Sequence, residues 1–149
     1  MAILFVLAVG SLVARVLGFV GVEAMNSWPA GTRVALAVML FFTASAHFTP
    51  MRRDLARMIP SWIPRPEAMV YFTGMFEILG AIGLLLPRTR SVAAVALNLF
   101  LLAVFPANLH AARAGVTLGG KPGTPLWLRA PMQLLFIGLV CWSGLLAAQ

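Results

Sequence analysis

The chain has 149 residues, 61% of them hydrophobic and only 10% charged, and its formal net charge is +7. Soluble domains run at about 45–50% apolar and about 25% charged, and a chain this small could not hide so much apolar side chain from water, so an ordinary water-soluble domain is excluded. Eleven Lys and Arg against four acids would point to nucleic acid in a soluble protein. Here Arg52, Arg53, Arg57, Arg88 and Arg90 flank apolar runs, which is the placement of topology signals and headgroup contacts, and no basic stripe with interleaved aromatics supports nucleic-acid binding.

In chain order, residues 2–22 are apolar apart from Ser11 and Arg15. Val22-Glu23-Ala24 is similar to a signal cleavage site, but the basic n-region is missing and Arg15 interrupts the apolar stretch, so a retained helix is expected. Asn26 to Gly31 reads as a turn, with Trp28 suited to the interface. A second span is expected over 34–48, stopped by Pro50. Residues 51–68 carry Arg52, Arg53, Asp54 and Arg57 opposite Leu55, Met58 and Ile59, followed by Pro60, Pro64 and Pro66. This reads as a short amphipathic segment on the membrane surface, anchored by Trp62.

A third span is expected over 69–86, a fourth over 91–112 with Pro106 near its end, a flexible turn over 115–125, and a fifth span over 126–148. The runs are continuously apolar, which argues against barrel strands. The fold class expected is an all-α membrane protein, a single domain of about five transmembrane helices. The single cysteine, Cys141, excludes an internal disulfide and dithiol chemistry and reads as a small buried hydrophobe. Five spans put the termini on opposite sides. The first residue's side, side A, then holds Arg52, Arg53, Arg57, Arg65, Arg113 and Lys121, against Arg33, Arg88 and Arg90 on side B, so the positive-inside rule favours side A as cytoplasmic.

Ionisable groups inside spans cost about 2.5–3.5 kcal/mol on insertion scales. His47 ends the second span, and Glu77 lies roughly 12 Å into the third at 1.5 Å per residue. Asn108 and His110 end the fourth span, and Arg129 and Gln133 open the fifth. These groups converge on the side-A leaflet, while Arg15 belongs nearer side B. Thr73, Gly74, Gly80 and Ala81 flank Glu77 and allow close approach of a helix or ligand. Arg129 is its expected partner and His47 the second candidate.

The expected pocket is His47, Thr73, Gly74, Glu77, Asn108, Arg129 and Gln133, suited to an amphipathic lipid or quinone. The bland reading is a structural pair with interhelical hydrogen bonds. A haem between His47 and His110 is weakly signalled. No catalytic residue is assigned; Glu77 and His47 are the protonatable candidates. No phosphate-binding loop or His-Glu-x-x-His motif is present.

Ala46-His47-Phe48-Thr49-Pro50, the run Met58 to Pro66 around Pro60-Ser61-Trp62, the run Gly74-Met75-Phe76-Glu77 through Pro87-Arg88-Thr89-Arg90, and Ala103-Val104-Phe105-Pro106-Ala107-Asn108 together resemble the DoxX-like family of small bacterial integral membrane proteins. The resemblance covers roughly residues 35–133 and implies a four-helix membrane core, with residues 2–22 as an extra helix and a place in the bacterial inner membrane. It further implies a redox-associated accessory role, with a membrane-associated oxidoreductase as partner. A membrane enzyme or small proton-coupled transporter using Glu77, and an assembly factor for membrane partners, are the alternatives. Glycine-rich faces would permit a homo-oligomer.

Overall fold

The computed structural model describes residues 2–21 and 25–148; the cleavage-like Val22-Glu23-Ala24 lies outside the described residues. Among them are six α-helices: α1 (Ala2–Phe19), α2 (Trp28–His47), α3 (Arg52–Met58), α4 (Pro66–Leu85), α5 (Arg90–Arg113) and α6 (Leu126–Gly144), with a short 3₁₀ turn at Leu146–Ala148. Four of them, α2, α4, α5 and α6, are long and apolar enough to cross a membrane, and α1 is a shorter apolar helix. Large apolar side chains cover their outer faces. Phe72, Leu79, Leu99 and Leu134 are each 62–70% exposed, an outer surface that only lipid would leave at no cost.

The helix ends follow local chemistry. Helix α2 begins at Trp28 rather than near residue 34, because Ser27 is its N-cap and accepts a hydrogen bond from the Ala30 N–H at 3.2 Å. Pro29 fits the first turn, where no intrahelical donor is needed. The turn expected across Asn26–Gly31 is thus the start of a helix. Helix α4 likewise begins three residues early, at Pro66, after Arg65 takes a left-handed conformation (φ 54°). Helix α5 runs through Pro106 and α6 through Pro131, and α6 stops at Gly144.

The segment expected as a flexible turn is ordered. Thr117–Leu118 (β1) pairs antiparallel with Lys121–Pro122 (β2). Gly119 and Gly120 both take positive φ (58° and 75°), as a two-residue hairpin loop twisted to match its strands requires. The Gly119 N–H donates to Asp54 Oδ2 at 2.9 Å, tying the hairpin to α3. Helix α3 and the Ile59 that caps it carry exposed Arg53 and Arg57 opposite half-buried Leu55, Met58 and Ile59, the amphipathic pattern expected.

Helices α2, α4, α5 and α6 close a ring in chain order, α6 returning to α2, and α1 lies against the outside of α2. Small residues set the approach. Gly10 of α1 faces Ala35 of α2, while Gly31 faces Ala14, so the two helices run antiparallel. Gly83 meets Ala93 between α4 and α5, and Gly144 meets Ala94 between α6 and α5. Leu36, Leu40, Ala81, Leu84, Ala94, Leu97 and Val140 fill the centre. Arg33 Nη1 donates to the Ser143 carbonyl at 2.7 Å and joins the start of α2 to the last turn of α6, where a cation also suits the helix dipole.

Candidate functional site

The first polar group lies between α2 and α4. At the end of α2, His47 Nδ1 sits 2.7 Å from the Val70 carbonyl and 3.1 Å from Thr73 Oγ1. A carbonyl only accepts, so Nδ1 carries the hydrogen; the Thr73 hydroxyl donates to the same carbonyl at 2.9 Å. That tautomer is assigned from the partners. The other ring nitrogen, Nε2, lies 3.6 Å from Glu77 Oε1. With Nδ1–H fixed, this contact is favourable when a proton sits between the two, on the ring as an imidazolium or on the acid.

Thr43, one turn before His47, donates to Glu77 Oε2 at 2.7 Å. Both side chains of the pair are nearly enclosed, at 12% and 13% exposure. Gly74 makes the approach possible, since a Cβ there would stand 2.6 Å from His47 Cβ.

Glu77 is deeper along its helix than expected. Counting from Pro66, it is ~17 Å from the start of α4 at 1.5 Å per residue. Thr43 is only ~6 Å from the end of α2 by the same rise. The first turns of α4 therefore overhang α2, where Tyr71 meets Phe48 with ring centroids 5.9 Å apart and lies 5.7 Å below the Arg52 guanidinium.

The second group lies between α5 and α6. Asn108 Nδ2 donates to Gln133 Oε1 at 3.1 Å, and Arg129 Nη1 donates to Asn108 Oδ1 at 3.2 Å. Gln133 Nε2 donates to the Leu101 carbonyl of α5. Arg129 Nε donates to the Thr124 carbonyl at 2.7 Å.

The seven expected pocket residues thus form two sets. His47, Thr73, Gly74 and Glu77 meet on the α2–α4 seam, and Asn108, Arg129 and Gln133 on the α5–α6 seam. The expected Glu77–Arg129 pairing is corrected: among the described residues the partners of Glu77 are Thr43 and His47, and Arg129 has no carboxylate within 4.0 Å. The physical reason is ring order, which sets α4 and α6 on opposite sides of α5. Both ring nitrogens of His47 have their partners on α4, Nδ1 at Val70 and Thr73 and Nε2 at Glu77.

Arg15 stays apart, near the other end of the bundle, over the rings of Phe19 (4.5 Å) and Trp28 (5.1 Å). Reading the sequence missed Thr43, whose signal was its spacing of four from His47, one face of a helix. It also missed Asn98, which donates to Cys141 Sγ at 3.0 Å.

Arg129 also lines a cleft of about 400 Å³ between the hairpin and the ends of α5 and α6, within the range of small-molecule sites. Ala111, Ala112 and Val116 supply apolar wall, and Thr117 and Thr124 supply polar edge.

Fold and seams define a multi-pass helical membrane protein with a four-helix ring and paired polar seams. Residues 36–145, well over half of the chain, match the family model described as a domain of unknown function, DUF8561, and the chain belongs to that family. No curated protein and no solved structure matches it.

Proposed function

We propose that this chain is a membrane-embedded accessory module, without a catalytic centre of its own, that holds one amphipathic molecule, a lipid or a quinone, in its side-A half. The observation that carries the reading is the cleft at Arg129, where a guanidinium oriented by Asn108 and Thr124 borders an apolar wall. In this reading α1 adds a fifth span, and the protein sits in the bacterial inner membrane. The redox association, and an oxidoreductase partner, rest on the DoxX-like motifs between residues 35 and 133.

Native mass spectrometry of the full chain with a short-chain quinone and a lysophospholipid tests the reading. One adduct per chain is expected, lost in Ala112→Leu, which fills the cleft wall. Uptake of neither probe by the folded protein would overturn it.

The His47–Glu77 contact supports a second reading, a proton-coupled transporter or enzyme using Glu77. Glu77→Gln keeps the side chain's shape. Loss of a proton-dependent flux in proteoliposomes with unchanged thermal stability would favour this second reading, whereas a lowered melting temperature alone marks the pair as structural.

A further inference from the structure

We infer that the cleft selects an acidic head group, so that its occupant is an amphipath ending in a carboxylate or phosphate rather than a neutral quinone; this deepens the ligand-holding reading and rests on it. Arg129 gives two of its donors to neutral acceptors, Nε to the Thr124 carbonyl and Nη1 to Asn108 Oδ1. Both bonds hold the guanidinium plane in place and neither offsets its charge. No carboxylate of the described residues comes within ion-pair distance of it: Glu77 lies against Thr43 and His47, Asp54 against Gly119 and Arg57, and Glu67 makes no ion pair. Nη2 forms no hydrogen bond within the described residues. It would stand 3.1 Å from a Cβ placed on Gly123, another residue of the cleft wall.

The charge is therefore held in place, partly buried, and part of the cleft wall. The start of α6 adds to it. Pro125 is the N-cap and supplies no side-chain acceptor, so the first N–H groups of the helix stay uncapped and its positive end lies beside the guanidinium. A quinone carbonyl could accept one hydrogen bond here but would leave the charge unanswered. An oxyanion answers both. Ala111, Ala112 and Val116 then receive the first methylenes of the tail, and the volume suits a head and the start of a chain, with the remainder in lipid.

The test titrates the full-length protein in a non-ionic detergent with three probes, oleate, decylubiquinone and inorganic phosphate, read by native mass spectrometry. Binding of oleate is expected, weakened about tenfold or more in Arg129→Gln, as loss of a charge-assisted contact would do. Arg129→Lys is expected to keep part of it. Ala112→Leu, which leaves the arginine network intact, is expected to exclude oleate and serves if Arg129→Gln does not fold.

Decylubiquinone bound as tightly as oleate, and insensitive to Arg129→Gln, would overturn the acidic-head inference while leaving the ligand-holding reading in place. Phosphate competing as strongly as oleate would overturn the requirement for a tail. No probe bound by the folded wild type would remove both.

Discussion

Thr43 is the residue on which the α2–α4 seam turns, because it hydrogen-bonds the carboxylate of Glu77 from the neighbouring helix. Interhelical hydrogen bonds in membranes average only about 0.6 kcal/mol and reach about 1.7. A double-mutant cycle of Thr43→Val and Glu77→Leu, read by unfolding in detergent, is therefore expected to give a coupling of about 0.5–1.7 kcal/mol, and additive losses would show that the bond contributes nothing. Gly74 is the steric counterpart. Gly74→Val would drive its side chain into His47 and is expected to cost about 1–3 kcal/mol, as overpacking does; its melting temperature should fall well below that of wild type.

At this scale the sequence was half legible. His47, Glu77, Asn108 and Arg129 stood out because charge and amide groups are conspicuous in apolar runs. Thr43 did not, since a threonine within a span reads as filler until its partner's helix is known. The same lack of neighbour information led to the expected Glu77–Arg129 pair.

Among the elements, the hairpin and α3 behave as one unit on side A. Asp54 accepts the Gly119 N–H and also lies 3.5 Å from Arg57. Asp54→Ala removes the side-chain acceptor of that amide, and faster hydrogen exchange across residues 115–124 is expected with the transmembrane helices unchanged; unaltered exchange would show that the strand pairing alone orders the loop. Helix α5 depends instead on close approach. Ala94 is fully enclosed and faces Gly144, so Ala94→Leu is expected to cost about 1–3 kcal/mol and to lower the yield of folded protein in detergent.

The spans themselves were readable, since a long apolar run is a local property of the chain. Their boundaries were less so, although Ser27 followed by Pro29 is a readable start for α2. The hairpin is less legible, because two adjacent glycines fit a flexible turn as well as the positive-φ loop of Thr117–Pro122.

For the whole molecule, the apolar outer faces and the tryptophans agree on the position of the bilayer. Trp62 and Trp127 stand exposed toward side A, Trp28 and Trp142 toward side B, the two interfacial levels such rings favour. With side A cytoplasmic, single cysteines introduced into a Cys141→Ser background should differ in labelling of intact cells by an impermeant reagent. A cysteine at Arg88 is expected to react and one at Lys121 to be protected, and the reverse pattern would invert the topology. The side-A convergence read from the sequence holds only in part: the ionisable groups share one half of the bundle but belong to two seams. Depth can be counted along each helix, whereas adjacency depends on how four helices close into a ring.

That closure has a consequence for biosynthesis. Arg33 and the Ser143 carbonyl that receives it are 110 positions apart, and ribosomes add about 5–20 residues per second. The arginine at the head of α2 therefore leaves the ribosome roughly ten seconds before its acceptor exists. During that interval the insertion machinery, or lipid headgroups, must shelter an unmatched cation, and a ribosome stalled before α6 should leave a nascent chain that quality-control proteases recognise.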